Sequence, residues 1–83
     1  MSLPHPLYGE HAFCDPIRGV HRWSVTGTTA WIEAVENGVE DGMTPEEIVA
    51  GHLLLPPSSL PHVTEIHRLH RAYLVRIGRL PVD

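Results

Sequence analysis

The chain has 83 residues, a formal net charge of -4 and a single cysteine, Cys14. A single domain of this size buries only about 60 to 65 per cent of its unfolded surface, so we expect a homodimer to reinforce the small core. One cysteine excludes an internal disulfide and a zinc site built from several thiolates. No apolar run approaches the roughly 18 residues that span a bilayer, and the first residues do not resemble a signal peptide. We therefore expect a cytoplasmic protein with no membrane association.

The charges divide along the chain. Residues 1–57 hold eight acidic residues and two arginines, whereas residues 58–83 hold four arginines and two acidic residues. The sequence contains no lysine, and the guanidinium group of arginine is the better one for forked contacts with carboxylate or phosphate. The body of the protein is thus acidic and its C-terminal part is basic.

The first quarter of the chain predicts an arm and a short strand. Residues 1–12 are irregular in pattern, and "DPIRG" has the composition of a turn. In "VHRWSVT" apolar and polar side chains alternate, which predicts a strand over residues 20–26 with Trp23 and Val25 on its apolar face. Because a lone strand is unstable, we expect it to pair within the first twenty residues or with a second subunit.

An amphipathic helix is predicted over residues 29–41. Apolar side chains fall within about one third of the helical wheel, and acidic side chains take the opposite side. The apolar set is Trp31, Ile32, Val35 and Val39, and the acidic set is Glu33, Glu36, Glu40 and Asp41. Thr28 or Thr29 can cap its start, and Gly42 suits the left-handed residue past its end. The Asn-Gly pair inside the range offers an earlier stop.

The stretch "MTPEEI" predicts the start of a second helix, over residues 45–54. Thr44 is the cap, Pro45 takes the first helical position, and Glu47 completes a capping box. We expect the helix to end before "PPSS". Its inward side is predicted to hold Ile48, Val49, His52 and Leu55.

A third helix is predicted over residues 60–77. Its apolar stripe consists of Val63, Ile66, Tyr73, Leu74 and Ile77, with His70 in the middle and His67 at the edge. Arg68, Arg71 and Arg76 fan across the opposite side, and we call these three the arginine face. The predicted fold class is mainly α, with a short N-terminal β element and three helices in a helix-turn-helix or homeodomain-like arrangement.

His67 and His70 are the candidate metal ligands. They stand at a spacing that brings two side chains together on a helix, but a metal needs at least three ligands. His11, His21 or His52 could complete the site through a tertiary contact. This alternative describes a metal-binding or enzyme-accessory protein. The preferred interpretation is that His70 is neutral and lies in an apolar contact.

Catalytic motifs are weak in this sequence. Cys14 has no local histidine partner, Glu46 and Glu47 are consecutive and so point in different directions, and no glycine-rich phosphate loop is present. We therefore expect no enzyme activity and no cofactor. The favoured function is a small interaction protein that binds an anionic partner, DNA or another protein, through the arginine face.

Two short helices joined by a break, the second of them basic, are typical of a DNA-binding helix-turn-helix. The overall acidity, the long "LLLPPSSLP" connection and the lack of asparagine or glutamine on the third helix argue against it. The order "DPIRG…VTGT", helix, "GMTPEEIV", helix also resembles the small bacterial antitoxin-like family of formally unknown function. Its members carry "GG-x-P-x-I-x-GT-R", then "G-x-S-x-E-E-I" and a helix-turn-helix.

The positions that match this family lie within residues 14–50. They are Asp15, Pro16, Gly27, Thr28, Gly42, Thr44, Glu46, Glu47 and Ile48. The resemblance implies a homeodomain-like fold after a short β segment, a homodimer, and a role as the antitoxin partner of a toxin nuclease. The sequence departs from the pattern where the paired glycines are reduced to Gly19 and where "HLLLPPSSLP" replaces a tyrosine-proline segment.

Overall fold

A computed structural model describes residues 5–14 and 23–80. Within these ranges the chain forms two short strands, three α-helices and one 3-10 turn. In chain order they are β1 (Ala12–Cys14), β2 (Trp23–Val25), α1 (Ile32–Glu40), α2 (Pro45–Ala50), the 3-10 turn Pro57–Ser59 and α3 (Leu60–Arg76). The predicted combination of a short β element and three helices is confirmed. No helix in the described ranges has the length and apolarity needed to cross a membrane.

The predicted strand finds its partner inside the same chain. β1 and β2 pair antiparallel, with Ala12 opposite Val25 and Cys14 opposite Trp23. The strand is confirmed at Trp23–Val25, whereas its first predicted residues, 20–22, the "DPIRG" turn and His21 lie outside the described ranges. Val25 is buried and Trp23 is half-buried, but Ser24 between them is buried too, so this strand has no solvent-facing side.

The described part of the N-terminal arm contributes to the core. Tyr8 is 1% exposed and Ala12 2% exposed, although residues 5–11 form only turns and an isolated bridge. His5 stabilises the local turn, because its Nδ1 accepts hydrogen bonds from the backbone N–H groups of Leu7 at 3.0 Å and Tyr8 at 3.1 Å. The ring of His5 also stacks on that of Tyr8.

Helix α1 begins three residues later than predicted and runs through the Asn-Gly pair. The threonine cap is wrong: Thr28 instead closes the turn after β2, where its hydroxyl donates to the carbonyl of Val25 and accepts from the N–H of Ala30. The predicted end is confirmed. Gly42 adopts φ of 80°, and the N–H groups of residues 42 and 43 close a Schellman motif onto the last turn.

Helix α2 has the predicted start and an earlier end. The capping box between Thr44 and Glu47 is present, and its hydrogen bond to the backbone N–H of Thr44 lowers the pKa of Glu47. The helix stops at Ala50 rather than at residue 54, since Gly51 has little helix propensity and His52 Nδ1 then accepts from the N–H of Leu54 in a non-helical turn. Residues 51–59 therefore connect α2 to α3.

Helix α3 agrees with the predicted range to within one residue and ends in a second Schellman motif at Gly78. Its buried side consists of Val63, Ile66, His70 and Leu74. Two residues assigned to the apolar stripe are instead exposed, Tyr73 at 37% and Ile77 at 47%. The buried stripe is therefore narrower toward the C-terminus than predicted, with Leu74 as its last buried residue.

Gly38 lets α1 and α2 approach closely. A Cβ atom at this position would lie 2.6 Å from Ile48 Cγ1 and 2.7 Å from Cδ1. Ile48 is a buried core residue, so its side chain has little room to move away. The glycine that the sequence offered as a helix stop is thus a packing residue inside the helix.

We expect the substitution Gly38→Ala to destabilise the protein. Overpacking a core costs about 1 to 3 kcal/mol, against a gain of about 1 kcal/mol in helix propensity. Urea denaturation measures the free energy of unfolding. In an Ile48→Ala background, where the obstructing atoms are gone, Gly38→Ala should stabilise instead. Equal effects in the two backgrounds would show that the contact between these residues does not limit the helix approach.

Candidate partner-binding site

The arginine face lies on the solvent side of α3, where Arg68, Arg71 and Arg76 are all exposed. Arg68 Nε donates to Glu65 Oε2 at 2.7 Å, a contact that lowers the pKa of Glu65. The guanidinium carbon of Arg76 stands 5.8 Å from the ring centroid of Tyr73. The site therefore combines cations with a carboxylate and an exposed aromatic ring.

A groove runs beside the arginine face, between the C-terminal end of α1 and the middle of α3. Its volume is about 470 Å³. The apolar part of its lining comes from Val39, Met43, Pro45 and Leu80. Arg71 lines the groove as well, so it belongs to both surfaces, and we call this feature the α1–α3 groove.

The charges of the α1–α3 groove are arranged around one carboxylate. Glu40 lines the groove, and its Oε1 lies 3.3 Å from Arg79 Nη2. On the opposite wall His67 Nε2 donates a hydrogen bond of 2.8 Å to the carbonyl of Met43. His67 thereby ties α3 to the loop between α1 and α2. Glu40 is paired with Arg79, and Arg71 lies on the α3 wall.

Beneath this surface a buried hydrogen-bond chain joins the arm, α1 and α3. The hydroxyl of Tyr8 donates to Glu36 Oε2 at 2.5 Å, and His70 Nδ1 lies 2.9 Å from the Tyr8 oxygen. The Tyr8 proton lies in the hydrogen bond to Glu36, so the Tyr8 oxygen is the acceptor toward His70. We therefore place a proton on Nδ1 of His70, which donates it to the Tyr8 oxygen. The expectation that His70 lies in an apolar contact is therefore wrong.

The hydrogen bonds among Tyr8, Glu36 and His70 have a structural role. Burial, and then the hydrogen bond to Glu36, raise the pKa of Tyr8, so its hydroxyl remains a donor. His70 Nε2 is buried without a hydrogen-bond partner, and Glu40 Oε2 lies 3.5 Å from it. Sequence reasoning placed both glutamates on a solvated side and missed Tyr8. One signal was present: a histidine inside an apolar stripe needs a polar partner from another element.

The histidines do not converge on one point. His67 bonds a backbone carbonyl and His70 bonds Tyr8, while His11 Nδ1 lies 3.0 Å from His62 Nδ1 elsewhere. Among residues 5–14 and 23–80, no group of three or more histidine, cysteine or acidic side chains is arranged to hold a metal ion. The alternative metal site at His67 and His70 thus gains no third ligand from the described residues. His21 lies outside them.

Comparisons of the chain with protein-family models, with curated proteins and with solved structures gave no match. The resemblance to the antitoxin-like family accordingly stays a prediction from the residues that carry it.

We expect Tyr8→Phe to lower the free energy of unfolding by about 1 to 3 kcal/mol, because it removes the hydroxyl shared by Glu36 and His70 and leaves a buried imidazole nitrogen without its partner. Chemical denaturation measures the change. Tyr73→Phe makes the same chemical change at an exposed ring and should stay within about 0.5 kcal/mol of the wild type. Similar losses in the two variants would argue against the buried chain.

Proposed function

We propose that this protein is a small interaction module whose arginine face docks on the acidic surface of a partner protein. The observation that carries the proposal is the exposure of Arg68, Arg71 and Arg76 on one side of a helix whose other side is buried in the core. The proposal is also supported by the acidic body of the chain, which makes the C-terminal part the place where positive charge is concentrated.

Two features favour a protein over DNA as the partner. Exposed tyrosine and arginine side chains, such as Tyr73 and Arg76, are typical of protein interfaces. The connection over residues 51–59 is also longer than the three or four residues that join helices in a helix-turn-helix. A helix-turn-helix arrangement and DNA binding are therefore the less favoured form of the proposal.

The resemblance to antitoxin-like proteins gives the proposal a candidate partner class. In that form the protein would be an antitoxin, and the acidic surface would belong to a toxin nuclease. A toxin gene beside the gene for this chain would identify the protein to test first.

We expect the double substitution Arg68→Gln/Arg71→Gln to abolish retention of the partner. The partner is first isolated from the source cells with the immobilised wild-type protein, identified by mass spectrometry, and then purified. Titration calorimetry with the purified pair should show at least about a tenfold loss of affinity for the variant, as for the loss of interface hot-spot residues. Buried interface arginines act mainly on dissociation, so the loss should appear in the off-rate.

The matched control is Asn37→Asp/Ser58→Asp, which lowers the net charge by the same amount at two exposed positions away from the arginine face. It should bind like the wild type. Equal affinity of the arginine variant and the wild type would refute the proposal. Random-sequence duplex DNA is tested alongside: tight binding with a steep salt dependence, lost in the arginine variant, would replace the protein partner with DNA.

A homodimer is the second part of the proposal. Leu53 is fully exposed and Leu54 half exposed in the connection between α2 and α3, next to a shallow groove with Val49, Pro57 and Leu60 in its lining. Burial of these leucines against a second copy would remove apolar surface from water and reinforce a core limited by the length of the chain.

We expect sedimentation analysis to find a dimer at micromolar concentration and Leu53→Asp/Leu54→Asp to convert it to a folded monomer. Ile77→Asp, a charge introduced at another exposed apolar position, should leave the dimer intact. A wild-type monomer whose Tm does not depend on protein concentration would contradict dimerisation, because mass action makes the stability of a dimer concentration-dependent.

A further inference from the structure

We infer that the α1–α3 groove receives an apolar side chain from an acidic segment of the partner. The side chain acts as the anchor, and carboxylates on either side of it in the segment pair with Arg71 and Arg79. This inference rests on the proposed function and specifies which part of the partner the protein recognises.

The groove has the size and lining that an anchor side chain requires. Its volume of about 470 Å³ lies within the range of about 300 to 1,000 Å³ typical of ligand pockets. Val39 and Met43 on one side and Leu80 on the other provide apolar contacts. Leu80 and Pro45 are only partly buried, so an incoming side chain would cover apolar surface that water now contacts.

Charge complementarity identifies the segment around the anchor as acidic. Arg71 lines the groove, and Arg79 lines a smaller adjoining pocket that shares Glu40 and Leu80 with it. Glu40 lines both pockets and is held by Arg79. Carboxylates of an acidic segment in the groove would thus meet the guanidinium groups of Arg71 and Arg79, whereas a basic segment would meet like charge at both. Arg68 lies one turn before Arg71 on α3, so positive charge extends from the groove onto the arginine face.

Hydrogen bonds in its walls hold the groove in a preformed shape. His67 ties α3 to the carbonyl of Met43, and the Schellman motif at Gly42 fixes the loop that carries Met43. Both walls are therefore held by hydrogen bonds that do not involve the occupant. A preformed site spares the entropy of ordering its walls on binding.

The inference is tested with a phage-displayed library of random 12-residue peptides, selected on the immobilised wild-type protein. Pro45→Trp, which adds a large ring to the groove lining, serves as the counter-target, and Pro45→Ala, which leaves the groove open, is the matched control. Circular dichroism and thermal unfolding establish that both variants fold. Enriched peptides are synthesised with a fluorescent label, and their affinities are measured by anisotropy.

We expect the enriched peptides to share one large apolar residue flanked by aspartate or glutamate. Affinity should fall at least about tenfold for Pro45→Trp and change less than about twofold for Pro45→Ala, as for blocking and sparing an anchor pocket. Arg71→Gln should lower the affinity for the peptide, and replacing the apolar residue of the peptide by serine should abolish binding. Enriched peptides without acidic residues, or peptides that bind the Pro45→Trp variant as tightly as the wild type, would overturn the inference.

The two proposals fail in distinguishable ways. If the partner protein is lost from Arg68→Gln/Arg71→Gln but binds Pro45→Trp with unchanged affinity, the arginine face is the docking surface and the groove inference is wrong. If the partner binds the double arginine variant like the wild type, the proposed function itself is wrong, and so is the anchor inference that rests on it.

Discussion

The hydrogen bonds that join Tyr8, Glu36 and His70 hold three distant parts of the chain in one arrangement. Tyr8 comes from the arm, Glu36 from α1 and His70 from α3, and the two contacts measure 2.5 and 2.9 Å. A buried polar group without a partner is costly, so each of these side chains constrains where the other two elements can lie. The relative placement of α1 and α3, and with it the width of the groove between them, follows from this constraint.

Close packing of side chains also holds the helices in place. A chain of 83 residues buries few side chains, and Gly38, which has none, allows α1 to approach Ile48 of α2 closely. His67 adds a second polar tie, to the backbone between α1 and α2. The core is thus small but fixed at several points, which allows the outer side of α3 to be given over to charge. The presence of a buried side and a charged side on this one helix is the basis of the proposed interaction role.

The electrostatic character of the surface depends on which acids are already engaged. Glu65 is held by Arg68, Glu40 by Arg79, and Glu36 by Tyr8. These contacts engage three carboxylates, and the pairing of Glu65 and Glu40 with arginines reduces their repulsion of an acidic partner. The resulting surface is mixed rather than uniformly positive, which suits a protein interface with a defined register better than a phosphate backbone.

The sequence by itself determined the local structure: the capping box at Thr44, the helix ends at Gly42 and Gly78, the range of α3 and the arginines on its outer side. These depend on hydrogen bonds and side-chain directions within a few residues, which spacing and residue type express directly. Only the tertiary structure decided the burial of Tyr8, the role of Gly38 and the engagement of Glu36 with His70. Each of these is a contact between elements far apart in the chain. From sequence alone, an acidic residue on a helix is assigned to the solvent-exposed side, because its neighbour from another element is not known. The groove is of the same kind, because its walls come from α1, α3 and the loop before α2, and no local pattern encodes the space between them.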